Sequence, residues 1–248
     1  MKTKFAWVVL IAVPALVMAQ KPKSKKEQDA VMAVQAAQTP DDKIAAVEAL
    51  IQKFSDTEFK SWALNRAADA SRQKKDSAKA RFYAEQALAA DPKDYEAMLL
   101  LAAEIAAHTR EFDLDKDEAL AKADKYAKDA LAVIPSAVKP NAQVKDDQWD
   151  AFKKDMMAQA HESMGTAAMV RKKYDVAAQE YKLATETAAD QEPATYVRLA
   201  SAYTEAGKFD DSIATLDKVL AMPDLNPIVK QVAQGEKARA EKGKAAKK

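Results

Sequence analysis

Helices almost throughout, folded back on one another in pairs, are what this sequence predicts. Three observations carry that expectation. Only four glycines interrupt 248 residues that are rich in Ala, Lys, Glu and Asp, a composition that favours helix. Apolar residues recur at i, i+3, i+4 and i+7 in segment after segment, which is the spacing of one buried helical face. The segments also recur: Gly165 to Ala200, Tyr174 to Phe209 and Ala177 to Ser212 are each 35 residues apart, so one two-helix unit follows another in constant register.

A hydrophobic content of 48% is enough for a sizeable core. The 39 basic and 38 acidic residues nearly cancel, so no global field recruits nucleic acid or an anionic membrane. Cysteine is absent, which excludes disulfides, thiolate metal sites, a cysteine nucleophile and lipid attachment through a thioether.

The first residues read as an address. Lys2 and Lys4 precede an apolar run from Phe5 to Val17, and Val17-Met18-Ala19 supplies small residues at the positions a secretory signal peptide requires. The run is too short for a membrane span, which needs about 20 residues. Cleavage after Ala19 is therefore expected, giving a periplasmic or secreted chain without a lipobox cysteine. Residues 20–26, QKPKSKK, form a basic linker.

An N-terminal hairpin, a cap or divergent repeat, is expected over 27–57. Its first helix runs from Glu27 to Gln38 and stops at Thr39-Pro40. Asp41 and Asp42 favour the next helix start, and Ile44, Val47, Leu50, Ile51 and Phe54 form its apolar stripe. Residues 58–133 hold two repeats. The first places Leu64, Ala67, Ala68 and Ser71 on one helix, turns at Gln73–Asp76, and continues with Ala80, Ala84, Ala87 and Leu88 to Pro92. The second places Met98, Leu101, Ala102 and Ile105 before Ala123, Ala127, Ala130 and Leu131, ending at Pro135. Pro92 and Pro135 are 43 residues apart, and the excess over one period falls at His108–Glu118. Pro135, Pro140 and Asn141 mark a spacer over 134–145. Two further repeats occupy 146–226, and 227–248 form a cap helix and basic tail. Ile228, Val232 and Val229 are expected to be its buried face, with fraying from Glu236 onward because EKARAEKGKAAKK shows no apolar stripe.

The clearest unit runs from Pro193 to Asn226. Tyr196, Leu199, Ala200 and Tyr203 share one helical face, Gly207 breaks the helix, and Phe209, Ile213, Leu216, Val219 and Leu220 form the facing stripe. Set against the 34-residue pattern W-x2-L-G-x2-Y, then A-x3-F, then P, it offers Tyr196-x2-Leu199-Ala200-x2-Tyr203, Ser212-x3-Leu216 and Pro223. The chain thus resembles tetratricopeptide-repeat proteins over about Ser61 to Asn226. That resemblance implies an all-α, tetratricopeptide-like helical-hairpin solenoid, a right-handed superhelix of about four repeats plus terminal cap helices. It also implies that a partner lies against the first helix of each repeat. Carried over by register, the groove positions are Asn65, Asp69 and Arg72; Glu96, Leu99 and Ala103; Gln159, Glu162 and Thr166; and Ala194, Val197 and Ser201. The subclass that clamps a terminal carboxylate uses Lys and Asn there, whereas Asn65 and Asp69 stand here, so that ligand class is not expected.

Catalytic signals are poor. His161-Glu162-Ser163-Met164-Gly165 begins like a zinc-binding HExxH helix, yet Gly165 stands where the second imidazole must be. No GxSxG elbow occurs, and Gly243-Lys244-Ala245 does not complete a phosphate loop. No catalytic residue, cofactor or metal is expected. Trp149, Phe152, Met156, Met157, Met164 and Met169 are read as inter-helix core rather than as an adaptable ligand surface. The basic ends, Lys21–Lys26 and Lys237–Lys248, are read as solvated tails. Gly165 is read as the small residue that lets two helices approach, with alanine tolerated there because Ala200 is its equivalent. The function expected is a non-catalytic protein-interaction scaffold of the cell envelope. A protein or peptide is its partner, nucleic acid is not, and a homo-oligomer is allowed. A self-assembling structural protein and an envelope enzyme using a carboxylate pair are the alternatives.

Overall fold

The computed structural model describes residues 21–140 and 143–247; the expected leader, Met1–Ala19, lies outside them. Eleven α-helices and one 3-10 turn, Ile134–Ser136, make up the regular structure of the described residues, and no strand occurs among them. The helices are α1 (Lys25–Ala36), α2 (Pro40–Lys53), α3 (Lys60–Gln73), α4 (Ser77–Ala90), α5 (Tyr95–His108), α6 (Lys116–Val133), α7 (Asp146–Val170), α8 (Tyr174–Thr187), α9 (Pro193–Glu205), α10 (Phe209–Leu220) and α11 (Pro227–Ala246).

Local chemistry explains where they begin. The side chains of Ser24, Thr39, Asp76 and Asp94 each accept a hydrogen bond from a backbone N–H of the first turn they cap, satisfying donors that have no partner within the helix. Pro40, Pro193 and Pro227 occupy first-turn positions, where a missing N–H costs nothing. α1 begins two residues earlier than its periodicity implies. Ser24 caps it, and the carboxylate of Glu27 turns back to accept from the Lys23 N–H at 2.5 Å.

The helices end by a device that repeats. Lys75, Lys172 and Gly207 all adopt positive φ, at 60, 57 and 72°. Behind them, the N–H groups of Asp76, Lys173 and Lys208 donate to the carbonyls of Ser71, Ala168 and Tyr203 at 2.9, 2.9 and 2.8 Å. This is the six-to-one closure of a Schellman cap, and it reverses the chain between α3 and α4, α7 and α8, and α9 and α10. Only Gly207 meets it with the residue best suited to left-handed backbone.

The chain divides into two compact units, one of the residues up to Asp91 with Ala137–Trp149, the other of Pro92–Ser136 with Asp150–Lys248. In the first unit α1 packs on α2, α2 on α3 and α3 on α4, around Val34, Val47, Leu50, Phe59 and Leu64, all buried. In the second, α5 pairs with α6, α8 with α9, α9 with α10, and α11 lies over both α9 and α10. Its cores are rich in alanine. Ala168, Ala177, Ala178 and Ala202 surround Tyr181 and Leu199, while Tyr196, Ala200, Leu216, Val219 and Ala233 form the next layer. Small residues let the axes approach closely, and aromatic rings fill what remains.

Charged groups about one period apart tie successive hairpins together. Asp175 pairs with Lys208 at 2.8 Å, and Asp41–Lys74, Glu205–Arg239 and Asp210–Lys244 pair likewise across 33 or 34 residues. Each such exposed pair contributes little to stability.

Two expectations for the C-terminal helix are corrected. Ile228 and Val232 are exposed, at 73 and 52%; Ala233 and Ala240 are the buried positions, with Val229 partly buried beside them. The helix also continues to Ala246 instead of fraying from Glu236. Ala240 is fully buried, Gly243 has no Cβ where the Phe209 ring lies, and Lys247 Nζ sits 5.1 Å from that ring's centre. Small side chains against a ring hold this turn, and they leave no large-residue stripe to read.

Candidate interaction surface

α7 and α9 are first helices of neighbouring hairpins, and their polar side chains meet. The Glu162 carboxylate accepts a hydrogen bond from the Thr195 hydroxyl and lies 3.5 Å from the Arg198 guanidinium. One turn on, Thr166 Oγ1 donates to the Glu162 carbonyl at 2.9 Å and lies 3.0 Å from Tyr181 Oη. Burial pushes the Tyr181 phenol up from its ordinary pKa, which keeps it a neutral hydrogen-bonding group at the edge of the hairpin. Next to Thr166, Gly165 has no side chain because the Tyr181 ring occupies the space: an added Cβ would stand 2.8 Å from two ring carbons.

Further along α9, the hydroxyl of Ser201 lies 3.4 Å from Arg239 of α11, and Arg239 pairs with Glu236 at 2.7 Å as well as with Glu205. The hydrogen bonds it donates to two carboxylates, Glu236 first, hold its guanidinium pKa above an already high ordinary value.

Of the sequence-derived positions on α7 and α9, Glu162 reaches the other helix, through Thr195 and Arg198. Gln159 is exposed, while Glu162, Thr166, Ala194 and Ser201 are partly exposed. Val197 is buried, packed with Ala200 and Leu216 in the hairpin core. On α5, Leu99 is buried and Glu96 and Ala103 are partly exposed. In the first unit, Asn65 is buried on α3, and Asp69 lies 3.4 Å from the exposed Arg72 and 3.9 Å from Arg66. Sequence reasoning missed Thr195 and Arg198. They stand 33 and 36 residues after Glu162, bracketing one repeat period, and that spacing is the signal that finds them.

His161, the first residue of the zinc-like motif, directs Nδ1 at Glu180 of α8, 2.8 Å away. No group of three or more metal-ligating His, Asp or Glu side chains gathers among the described residues. Trp149 is buried with its Nε1 donating to the Ala137 carbonyl at 3.1 Å, and Met164 is buried too. No described helix is long and apolar enough to cross a membrane.

Two stretches match the tetratricopeptide repeat. They are residues 63–94, covering α3 and α4, and 193–223, covering α9 and α10. No curated protein matches the chain. Among solved structures, a thermophilic tetratricopeptide protein of Thermus thermophilus superposes with a TM-score of 0.59 at 19% identity, over 85% of this chain and 98% of that one. A tetratricopeptide protein from Parabacteroides merdae gives 0.38 at 15% identity, over 94% and 93%. The assembly chaperone of RpL4 gives 0.42 at 13%, over 92% and 100%. The Thermus likeness is one of fold: packed helical hairpins of tetratricopeptide type.

Proposed function

We propose that the chain is a non-catalytic protein-interaction scaffold that works in the cell envelope and presents the first-helix face of α7 and α9 to a protein or peptide partner. The cross-helix network of Glu162, Thr195, Arg198 and Thr166 supports it. These groups fix one another's orientation before any partner arrives, and preorganised polar groups lose little freedom on binding. Gln159, Arg198 and Ser201 are the groups a partner meets. The salt-bridged cations of this face do not form the free basic cradle that a terminal carboxylate wants. The envelope setting rests on the apolar run Phe5–Val17 and the Val17-Met18-Ala19 sequence.

Capture from the native envelope tests both parts. Gln159→Arg and Arg198→Glu should each lose the captured partner while retaining the helical spectrum of the wild type. Retention of the partner by both variants would move the site elsewhere. The recovered protein should begin at Gln20, and an N-terminal peptide still carrying Met1–Ala19 in the envelope fraction would refute the address.

A further inference from the structure

Two surfaces of the second unit lie outside this face. The first is the loop Thr109–Asp115 between α5 and α6, where the second repeat carries its extra residues. It is an ordered loop. The Arg110 N–H donates to Asp113 Oδ2 at 2.7 Å, the Asp113 N–H to the Arg110 carbonyl at 3.2 Å, and Glu111 pairs with Lys172 at 2.6 Å. Yet this fixed loop holds Phe112 87% exposed and Leu114 fully exposed. Residues 110–118 carry five acidic side chains against Arg110 and Lys116, so the apolar prong stands in negative surroundings.

The second surface is the outer side of α11. Ile228, Val232 and Gly235 follow at i, i+4 and i+7 on one stripe. The two aliphatic side chains are exposed, and nothing lies within 4 Å of where a Gly235 Cβ would be. Lys242 continues the same side of the helix; Lys237, Arg239 and Lys244 of α11 are paired with Asp217, Glu205 and Asp210, so the exposed Lys230 and Lys242 supply the positive charge of this outer side. The stripe is an apolar seat with a dent and a positive margin.

Neither surface is covered by the described residues of its own copy. We propose that they cover each other between copies: the Phe112–Leu114 prong of one molecule docks on the Ile228–Val232–Gly235 stripe of a second. Charge decides the pairing. Two prongs would set acid against acid and two α11 faces cation against cation, whereas prong on stripe is complementary. An anionic bilayer would repel the prong for the same reason. A contact between unlike surfaces is heterologous, so it propagates into a ring or an open chain. Two side chains on a short stripe make a small interface, below about 1,200 Å², which belongs to the weak and transient class. Assembly therefore grows with protein concentration and is reduced by salt.

Sedimentation of the full chain across a hundredfold concentration range tests this independently of the α7–α9 face. The wild type should gain mass with concentration. Phe112→Ser/Leu114→Ser and Val232→Glu should each weaken association at least tenfold while keeping the helical spectrum. The decisive sample is an equimolar mixture of the two variants. One retains the stripe and the other the prong, so the mixture should form dimers that neither forms alone and that cannot extend. A wild type that stays monomeric, variants that assemble like the wild type, or an inert mixture would each overturn the proposal. So would a prong that binds a foreign protein or lipid vesicles without any association between copies.

Discussion

Replacing Gly165 with alanine sets helix propensity against packing, and the structure says which wins. Alanine in mid-helix gains about 1 kcal/mol over glycine from backbone propensity. The Cβ would stand 2.8 Å from two carbons of the Tyr181 ring and 3.1 Å from a third, whereas carbon contacts are comfortable near 3.5–4.0 Å. The ring must retreat by roughly 1 Å to restore that spacing. It is 3% exposed and its hydroxyl is tied to Thr166, so retreat disturbs a packed core at about 1–3 kcal/mol. Gly165→Ala should therefore lose about 1 kcal/mol net, a Tm lower by about 2–4 °C. This corrects the tolerance inferred from Ala200. In the next hairpin Ala200 shares a core layer with Leu216, the counterpart of Tyr181 at the same 35-residue offset, and a leucine there in place of a tyrosine ring leaves more room for a methyl group. Gly165→Ala/Tyr181→Leu rebuilds that pair, so the double variant should be more stable than the two single losses sum to, with a coupling of about 1–2 kcal/mol. Gly235→Ala, with open space around it, is the control and should gain about 0.5–1 kcal/mol. Thermal unfolding by circular dichroism reads all four variants. A Gly165→Ala chain at least as stable as wild type would refute the packing argument.

Tyr83 is buried, and burial together with its hydrogen bond to Glu48 pushes the phenol up to about 12. The unfolded phenol ionises near 10, so the unfolded state releases this proton first; the stabilisation is complete below pH 10 and lost as pH rises from 10 to 12. Tyr83→Phe should flatten that alkaline fall in urea midpoints, and an unchanged slope would contradict it. Glu27 is buried beside Thr57 Oγ1, 2.6 Å away; Glu27→Ala should cost about 1–3 kcal/mol by leaving the Lys23 N–H and Thr57 hydroxyl without their acceptor, and a loss under half a unit would put the carboxylate outside the fold's support. Limited proteolysis should cut first within 137–145, where Val138 is exposed and Pro140 has no N–H to donate to a backbone hydrogen bond; a first cut inside α7 would oppose this.

Much of the helical array was legible because each level of the sequence agrees with the next. Composition, apolar spacing and the 35-residue offset all encode helical pairs, and the offset reappears as the matching left-handed turns at Lys172 and Gly207. The register of α11 was misread because its buried positions are Ala233, Ala240 and the close-packed Gly243, while its large apolar residues face outward. Hydrophobicity counts size, and close helix packing selects against it. The Ser24-x-x-Glu27 cap was present in the sequence but lay within a stretch whose lysines read as linker. In the candidate site, positions were found by register, but their partners were not. That Glu162 meets Thr195 and Arg198 follows only once two first helices lie side by side.

A photo-reactive phenylalanine analogue tests the central claim directly when placed at Gln159, on the exposed side of α7, and separately at Val176, exposed on the second helix α8. Irradiation in the native envelope should crosslink a discrete partner from position 159 and none from 176, and Arg198→Glu should abolish the crosslink. A partner captured from Val176 but not from Gln159 would place recognition on the second helices and contradict the assignment of the α7–α9 face.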